Sequence, residues 1–196
     1  MELKESRTAV NIMRAFSGES QARNRYDISA KKASEQKLHV IEAVFKFTAK
    51  QELAHAKVFS DILKGMGGEK VEITADYPTD ADDDILKLLR SAQHNEEDEN
   101  TSVYPDFSAQ AKSEGYDDIA NKLTMVAAVE RTHSERFKMF ADFLEQNKLF
   151  VSDVEEEWVC LNCGHRFRGM AAPESCPVCS HPKGFFIRAK LAPYTE

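Results

Sequence analysis

The chain has 196 residues, 42% of them hydrophobic, and a formal net charge of -7, so it is long enough for one large domain or two small ones. The negative charge argues against nucleic acid or an anionic membrane surface as a partner, because both select for basic patches. Its first ten residues contain no apolar stretch of signal-peptide length and no later run approaches a membrane span of roughly 20 apolar residues, so we expect a cytoplasmic protein.

Four segments carry apolar residues at alternating intervals of four and three, the spacing that keeps one stripe of a helix facing a partner. They cover residues 12–26, 41–66, 85–103 and 119–144. A short polar turn at 34–37 joins the first two, whereas residues 69–80 show no helical period and form a long crossover. Two antiparallel helix pairs joined by one long connection predict a mainly α, ferritin-like four-helix bundle.

Four aspartates stand where the third helix is expected to begin: Asp80, Asp82, Asp83 and Asp84. We interpret them as negative charge at the positive end of the helix dipole, and an acidic metal-binding loop is the alternative. The third helix is expected to end at Glu114-Gly115-Tyr116, and the fourth then continues to about Gln146.

The helical stripes also carry charged residues where a soluble helix should carry only apolar ones. Five glutamates and two histidines share these positions: Glu19, Glu52, His55, Glu96, Glu99, Glu130 and His133. Arg23, a basic residue on the first stripe, cannot neutralise five carboxylates, and an unpaired carboxylate is costly to bury. The alternatives are hydrogen-bonded core residues or helices whose phase is misjudged. We favour metal ions as the missing positive charge.

The spacing of these residues indicates a dinuclear centre. Glu52-x-x-His55 and Glu130-x-x-His133 each place a carboxylate and an imidazole three residues apart on one helix face. Two such pairs, with glutamates from the other two helices, match the ligand set of di-iron and di-manganese bundles. Imidazole with carboxylate suits iron, while a pure oxygen set would favour magnesium or calcium. The second helix pair repeats the first, with Glu99 as an extra carboxylate.

The helical period stops after Gln146, which predicts a bundle over residues 1–147 and a second domain over residues 148–196. Four cysteines in this tail form two Cys-x-x-Cys pairs: Cys160, Cys163, Cys176 and Cys179. Two such pairs build a tetrahedral thiolate site, which a small domain needs in order to fold. Spacing alone leaves both iron and a structural zinc ribbon open. Disulfides, or ligation by His165 and His181, are less favoured alternatives.

Several longer motifs resemble the rubrerythrin family across nearly the full chain. They are FSGESQARNRY, KQELAH, VYPDFS, ERTHSERF, WVCLNCG and CPVCSHPKGFF. The resemblance implies a non-haem di-iron bundle fused to a rubredoxin-like FeS4 domain, so that iron rather than zinc occupies the cysteine site. It also implies a peroxidase that reduces hydrogen peroxide to water and protects an anaerobe or microaerophile against oxidative stress.

The resemblance assigns roles to individual residues. Glu52 and Glu130 correspond to the carboxylates that bridge the two irons. Glu96 and His133 would bind one iron, and Glu19 the other. At that second iron the family exchanges a carboxylate for a histidine on reduction, and Glu99 and His55 are the candidates. Tyr26 and Tyr104 match tyrosines that hydrogen-bond the ligating carboxylates, with simple core packing as the alternative.

Electron supply follows from the same resemblance. A diferrous pair provides the two electrons that peroxide reduction requires, and the FeS4 centre would return them one at a time. The chain has no Gly-rich dinucleotide motif, so we expect an external donor, either an NAD(P)H-dependent reductase or rubredoxin. The family forms homodimers in which one subunit's FeS4 tail approaches the other's di-iron site. An oxidase using dioxygen, a ferritin-like iron store and a zinc-ribbon scaffold remain as alternative functions.

Overall fold

A computed structural model describes residues 2–193, and the first part of this range is helical. Its α-helices are α1 (Arg7–Glu35), α2 (His39–Leu63), α3 (Ile85–Asp98), α4 (Tyr104–Ser113) and α5 (Asp117–Glu145). The α1 helix packs against α2, and α3 and α4 pack against α5. Residues 69–84 contain neither helix nor strand, as expected for the long crossover. No helix within residues 2–193 combines the length and the apolar character needed to cross a bilayer.

The acidic cluster before α3 serves as a helix cap and as a set of ion-pair partners. The Asp84 carboxylate accepts a hydrogen bond of 2.9 Å from the Leu86 backbone N–H, which satisfies one of the free donors at the helix start. Asp82 pairs with Lys87 at 3.2 Å, and Asp83 pairs with Lys32 of α1. The predicted helix cap is therefore confirmed for Asp84, while Asp82 and Asp83 form ion pairs.

The third helix of the bundle is interrupted, which sequence periodicity did not predict. A π-helix over Glu99–Val103 separates α3 from α4, and the Tyr104 backbone N–H bonds to the Glu99 carbonyl five residues earlier. Pro105 follows at once and has no N–H to continue the α-helical ladder. Single-turn π segments of this kind insert one residue into a helix and shift the face on which the preceding side chains lie.

The bundle has two apolar cores with a polar layer between them. One core includes Tyr26, Phe45 and Phe137. The other includes Phe59 and Leu123. The predicted glutamates fall between these cores along each helix, so the polar layer is enclosed above and below by apolar side chains. Arg23, expected on the same stripe, is instead exposed.

The tail forms a small antiparallel sheet. Its strands are β1 (Val151–Cys160), β2 (Arg166–Ala171) and β3 (Phe186–Arg188), in the order β2-β1-β3. Trp158 and Phe186 are fully buried in a core of their own with Cys160 and Cys176. The other face of β1 and β3 joins the bundle core through Val159 and Ile187. The division at residues 147 and 148 stays a prediction.

The sheet is fastened to the bundle by a buried arginine. Arg188 donates hydrogen bonds to the backbone carbonyls of Lys148 at 2.7 Å and Val151 at 2.8 Å. Its guanidinium lies 4.3 Å from the ring centre of Phe143 in α5 and 4.9 Å from that of Trp158. Carbonyl oxygens and aromatic faces together replace the water that a buried cation loses. The chain leaving α5 is thereby held against β3.

The tail also contacts the bundle where the backbone at Gly184 packs against the turn between α1 and α2. A Cβ placed on Gly184 would lie 1.9 Å from the Lys37 carbonyl oxygen in the turn between α1 and α2. Gly184→Ala should therefore force the tail away from the bundle and lower the free energy of unfolding by about 1–3 kcal/mol. Thermal unfolding followed by circular dichroism measures this loss.

The matched control is Gly65→Ala, because a Cβ at Gly65 meets no atom within 4 Å. This variant should unfold at or slightly above the wild-type midpoint. An unchanged midpoint for Gly184→Ala would show that the close contact does not constrain the docked tail.

Candidate metal centres

The polar layer of the bundle brings the predicted residues into two overlapping groups. One group contains Glu19, Glu52, His55 and Glu130, and the other contains Glu52, Glu96, Glu130 and His133. Within each group the potential ligand atoms all lie within 4.8 Å of one another. Glu52 and Glu130 belong to both groups, as carboxylates shared between two neighbouring ions would. Both are at most 1% exposed, so water cannot neutralise them.

The two histidines occupy equivalent positions in this layer. His133 Nδ1 lies 2.8 Å from Glu130 Oε2, 3.0 Å from Glu52 Oε1 and 3.3 Å from Glu96 Oε2. His55 Nδ1 lies 3.0 Å from Glu130 Oε1 and 3.1 Å from Glu52 Oε2. Each imidazole therefore faces one oxygen of each shared carboxylate. Their ring centres are 5.6 Å apart and nearly parallel.

The geometry fits cations better than it fits a hydrogen-bonded core. Several of these buried atoms lack a hydrogen-bond partner among the described residues: Glu19 Oε2, Glu52 Oε1, Glu96 Oε2, both Glu130 oxygens and both His133 nitrogens. They face opposite charges at short range, yet their alignment is not that of hydrogen bonds. Buried polar atoms are rarely left in this condition. Metal ions between them would satisfy the carboxylate oxygens and the Nδ1 of His133, which faces them.

The electrostatics of the layer point the same way. Burial, together with the negative charge of Glu52, raises the pKa of Glu96 to about 8. Burial would lower the pKa of His133, but the carboxylates of Glu130 and Glu52, at 2.8 Å and 3.0 Å from its Nδ1, raise it to about 11. Burial acts against the ionised form of Glu52, yet the neighbouring imidazoles of His133 and His55 lower its pKa to about 2. The layer therefore attracts positive charge, and metal binding would displace the protons.

Two tyrosines orient the outer carboxylates. The Tyr26 hydroxyl donates a hydrogen bond to Glu96 Oε1, and the Tyr104 hydroxyl donates one to Glu19 Oε1. In each carboxylate the other oxygen, Oε2, faces a histidine. Burial and the neighbouring carboxylates raise the pKa of both tyrosines, so both stay neutral donors. Each tyrosine thus fixes which oxygen of its glutamate points into the layer.

Glu99 is the predicted ligand that the structure does not bring into either group. It begins the π-helix, and its Oε1 lies 3.9 Å from where a Cβ on Gly18 would be. Burial, the charge of Glu19 and that of Glu96 raise its pKa. The carboxylate borders a cavity of about 660 Å³ beside the layer. The position opposite Glu19 is held by His55 instead.

Sequence reasoning missed a cation at the edge of the layer. Arg136 lies one turn beyond His133, and its guanidinium donates hydrogen bonds to Thr48 Oγ1 at 2.9 Å and Gln51 Oε1 at 3.0 Å. Thr48 and Gln51 precede Glu52 on α2, so Arg136 joins α5 to α2 next to the shared carboxylates. Arg136 follows His133 by three residues, just as His133 follows Glu130, so its place on the same helix face could be predicted. Nothing in the sequence indicated that Thr48 and Gln51 would accept its hydrogen bonds.

The four cysteines converge on a second site in the tail. Cys160 Sγ lies 3.8 Å from Cys179 Sγ, and Cys163 Sγ lies 3.6 Å from Cys176 Sγ. Metal–sulfur bonds of about 2.3 Å in a tetrahedron separate the sulfurs by about 3.8 Å, so the cage has the right size for one ion. The cysteines are free thiols rather than disulfides.

The two halves of this cage repeat each other. The Cys160 N–H donates to the His165 carbonyl at 2.9 Å, and the Cys176 N–H donates to the His181 carbonyl at 2.8 Å. The backbone N–H of His181 lowers the pKa of the Cys179 thiol to about 6. The backbone N–H of His165 would lower the pKa of Cys163, but the neighbouring thiols raise it to about 12, so Cys179 is more readily ionised than Cys163. Both histidines contribute backbone groups and lie outside the ligand group.

Comparisons with known proteins agree with these two sites. The family described as Rubrerythrin matches residues 11–141, and the Rubrerythrin, rubredoxin-like domain matches residues 158–187. Rubrerythrin-1 of Clostridium acetobutylicum is 40% identical over 186 residues, which cover 94% of this chain and 95% of that protein. Rubrerythrin of Nitratidesulfovibrio vulgaris is 39% identical over 184 residues, with coverages of 94% and 95%.

Solved structures of nigerythrin share the architecture. The fully reduced, all-ferrous state aligns with a TM-score of 0.63 at 27% identity, over 92% of this chain and 86% of that one. The predicted ferritin-like bundle with a rubredoxin-like tail is confirmed. So are its cofactors, because the Glu and His cluster is a di-iron site and the four cysteines form a rubredoxin-like site. The chain belongs to the rubrerythrin family of iron-binding oxidoreductases.

Proposed function

We propose that the protein is a peroxidase that reduces hydrogen peroxide to water, with electrons relayed through its own FeS4 site. The observation that carries this proposal is the pairing of a carboxylate-rich dinuclear site with a four-cysteine site on one chain. Iron storage has no use for an attached one-electron carrier, whereas repeated two-electron reduction of peroxide requires that the electrons be replaced, which such a carrier can do. The activity would protect an anaerobe or microaerophile against oxidative stress.

Each residue of the buried layer has a role in this proposal. Glu52 and Glu130 hold both ions, since each contributes to both groups. Glu96 and His133 complete one ion's ligands, and Glu19 contributes to the other. Two ferrous ions bound here supply two electrons without release of a radical. The protein's part is to fix the ligands, exclude water from the enclosed layer and keep the carboxylates oriented through Tyr26 and Tyr104.

His55 and Glu99 form the adjustable side of the site. We propose that they alternate as ligands of the second ion when the redox state changes. His55 occupies the ligand position in this structure, at 3.8 Å from Glu19 Oε2, while Glu99 lies outside the group. The π-helix supports such an exchange because it places Glu99 on a segment that departs from regular α-helical hydrogen bonding.

The position of the tail favours electron transfer between two copies of the chain. Phe185 of the tail stacks on His39 at the start of α2, with ring centres 4.0 Å apart. From His39 to Glu52, α2 rises about 20 Å. The tail of one chain therefore lies far from the di-iron site of the same chain. In a homodimer, the partner's tail could lie closer to this di-iron site and shorten the distance for electron transfer. The thiols point to a reducing, cytoplasmic setting, with an NAD(P)H-dependent reductase or rubredoxin as the external donor.

Anaerobic stopped-flow spectroscopy with metal analysis tests the whole proposal. The fully reduced, iron-loaded protein is mixed with hydrogen peroxide and, separately, with dioxygen. We expect rapid oxidation of both centres by peroxide and a much slower reaction with dioxygen. Faster oxidation by dioxygen would support an oxidase, and accumulation of many irons per chain would support storage. A tail without visible thiolate-to-iron bands would identify zinc and remove the relay.

Substitution of the shared carboxylates gives a sharper prediction. Glu52→Ala and Glu130→Ala should each abolish dinuclear iron binding, because each removes ligands from both ions at once. Peroxide turnover should fall more than about 100-fold, beyond the loss typical of outer-sphere changes, while the visible bands of the FeS4 site stay intact. The control is Glu135→Ala on the exposed face of α5. Full peroxidase activity in Glu52→Ala or Glu130→Ala would contradict the assignment.

Substitution of His55 tests the proposed exchange of His55 and Glu99 as ligands of the second ion. His55→Ala should still load iron, because Glu99 remains available to the second ion, but turnover should slow by about tenfold. The comparison is His94→Ala, whose side chain is exposed on α3. Steady-state peroxidase rates and iron content measure the two effects separately. A wild-type rate in His55→Ala would argue against ligand exchange.

A further inference from the structure

The cavity beside Glu99 is walled by three separate parts of the chain. Its lining comes from α1 between Arg14 and Gly18, from residues 74–78 of the crossover, and from residues 95–107 of the interrupted third helix. Its volume is about 660 Å³. This falls within the range of pockets that bind small organic molecules, which is about 300–1,000 Å³.

The cavity borders the metal layer directly. Tyr104 lines it, and the same hydroxyl donates a hydrogen bond to Glu19. Glu99 lines it as well and lies on the exchangeable side of the layer. The crossover is held in place, since the Tyr77 hydroxyl donates to the Arg14 carbonyl at 3.1 Å and Asn95 donates to Asp80 at 2.6 Å. The cavity is therefore preformed and ends one side chain from the metal ligands.

Hydrogen peroxide does not need a space of this size. A water molecule has a share of liquid volume of about 30 Å³, and hydrogen peroxide adds one oxygen to that. The cavity is more than ten times larger, and part of its wall is apolar: Ala15, Pro78, Val103 and Phe107. An apolar wall is poorly matched to a small polar peroxide but stabilises an organic group that displaces water from it.

The charges on the lining restrict the kind of organic group. Three aspartates face the cavity besides the buried Glu99: Asp76, Asp98 and Asp106. Arg14 is the cation on the same lining within the described chain. This excess of negative charge repels anions, so a peroxide bearing a carboxylate is disfavoured. A neutral alkyl or aryl group has no such penalty.

We propose that this cavity binds the organic part of neutral alkyl or aryl hydroperoxides, which the protein reduces in addition to hydrogen peroxide. The inference rests on the proposed peroxidase function. The O–O bond of ROOH breaks, two electrons come from the reduced iron pair and two protons from solvent, and the products are ROH and water. The external one-electron donor then returns the electrons through the FeS4 site.

The inference can be tested with a substitution that narrows the cavity at its solvent-exposed side. Ala75 is an exposed crossover residue on the lining, so Ala75→Trp adds bulk without changing either helix pair. Iron-loaded wild type and variant are assayed with cumene hydroperoxide and with hydrogen peroxide. We expect kcat/KM for cumene hydroperoxide to fall about tenfold more than that for hydrogen peroxide, mainly through KM. Thr79→Trp, an exposed crossover substitution off the lining, should change neither.

A binding measurement on the oxidised resting protein accompanies the kinetics. The probe is 2-phenylpropan-2-ol, the alcohol formed from cumene hydroperoxide, titrated by calorimetry. Saturable binding to wild type and Thr79→Trp, with at least about tenfold weaker binding to Ala75→Trp, supports the inference. This arm does not depend on turnover.

The outcomes separate the two proposals. Hydrogen peroxide turnover without cumene hydroperoxide turnover overturns the inference and leaves the peroxidase function intact. Equal loss of both activities in Ala75→Trp, or no saturable binding of the alcohol to wild type, also overturns it. If wild type reduces neither peroxide, the peroxidase proposal fails and the alternative substrate fails with it.

Discussion

Mutual repulsion among buried carboxylates is the constraint on which the bundle depends. Glu19, Glu52, Glu96 and Glu130 lie in one layer, each at most 1% exposed, and apolar cores close both sides of that layer. Such an arrangement is unstable as a set of free anions, and protons on histidine and glutamate relieve it only in part. Divalent cations relieve it fully, which ties folding of the layer to iron binding. The same charges that weaken the empty bundle select and retain its cofactor.

Much of the fold was predictable because it depends on local periodicity. The apolar period of each helix places Glu52 and Glu130 on the buried face. The spacing of the two Cys-x-x-Cys pairs is likewise sufficient to predict a four-cysteine site. The prediction for Arg23 was wrong for a related reason. Steps of four from Glu19 to Arg23 and of three from Glu19 to Ala22 describe nearly the same stripe, and packing chose the small alanine for the core. Periodicity alone cannot separate two neighbours on one turn.

The features that sequence could not supply are contacts between distant segments. Arg188 is buried because carbonyls of Lys148 and Val151 and the rings of Phe143 and Trp158 surround it. Read alone, it resembles any surface cation near a chain end. Gly184 likewise looks like an ordinary loop glycine until the Lys37 carbonyl lies against it. These two contacts join the tail to the bundle, so the placement of the FeS4 site relative to α2 depends on pairings that have no local pattern.

The interrupted third helix explains why the site is not fully symmetric. The two helix pairs supply matching sets of residues. Glu19 corresponds to Glu96, and the pair Glu52 and His55 corresponds to the pair Glu130 and His133. Glu99 has no counterpart, and it stands at the first residue of the π-helix. Pro105 removes a backbone donor from the following turn, which favours the wider hydrogen-bonding pattern there. From the first residue of this segment Glu99 lines the cavity, while His55 lies 3.8 Å from Glu19 in the layer. The missing donor of Pro105 and the place of Glu99 outside the layer thus belong to one interruption of the third helix.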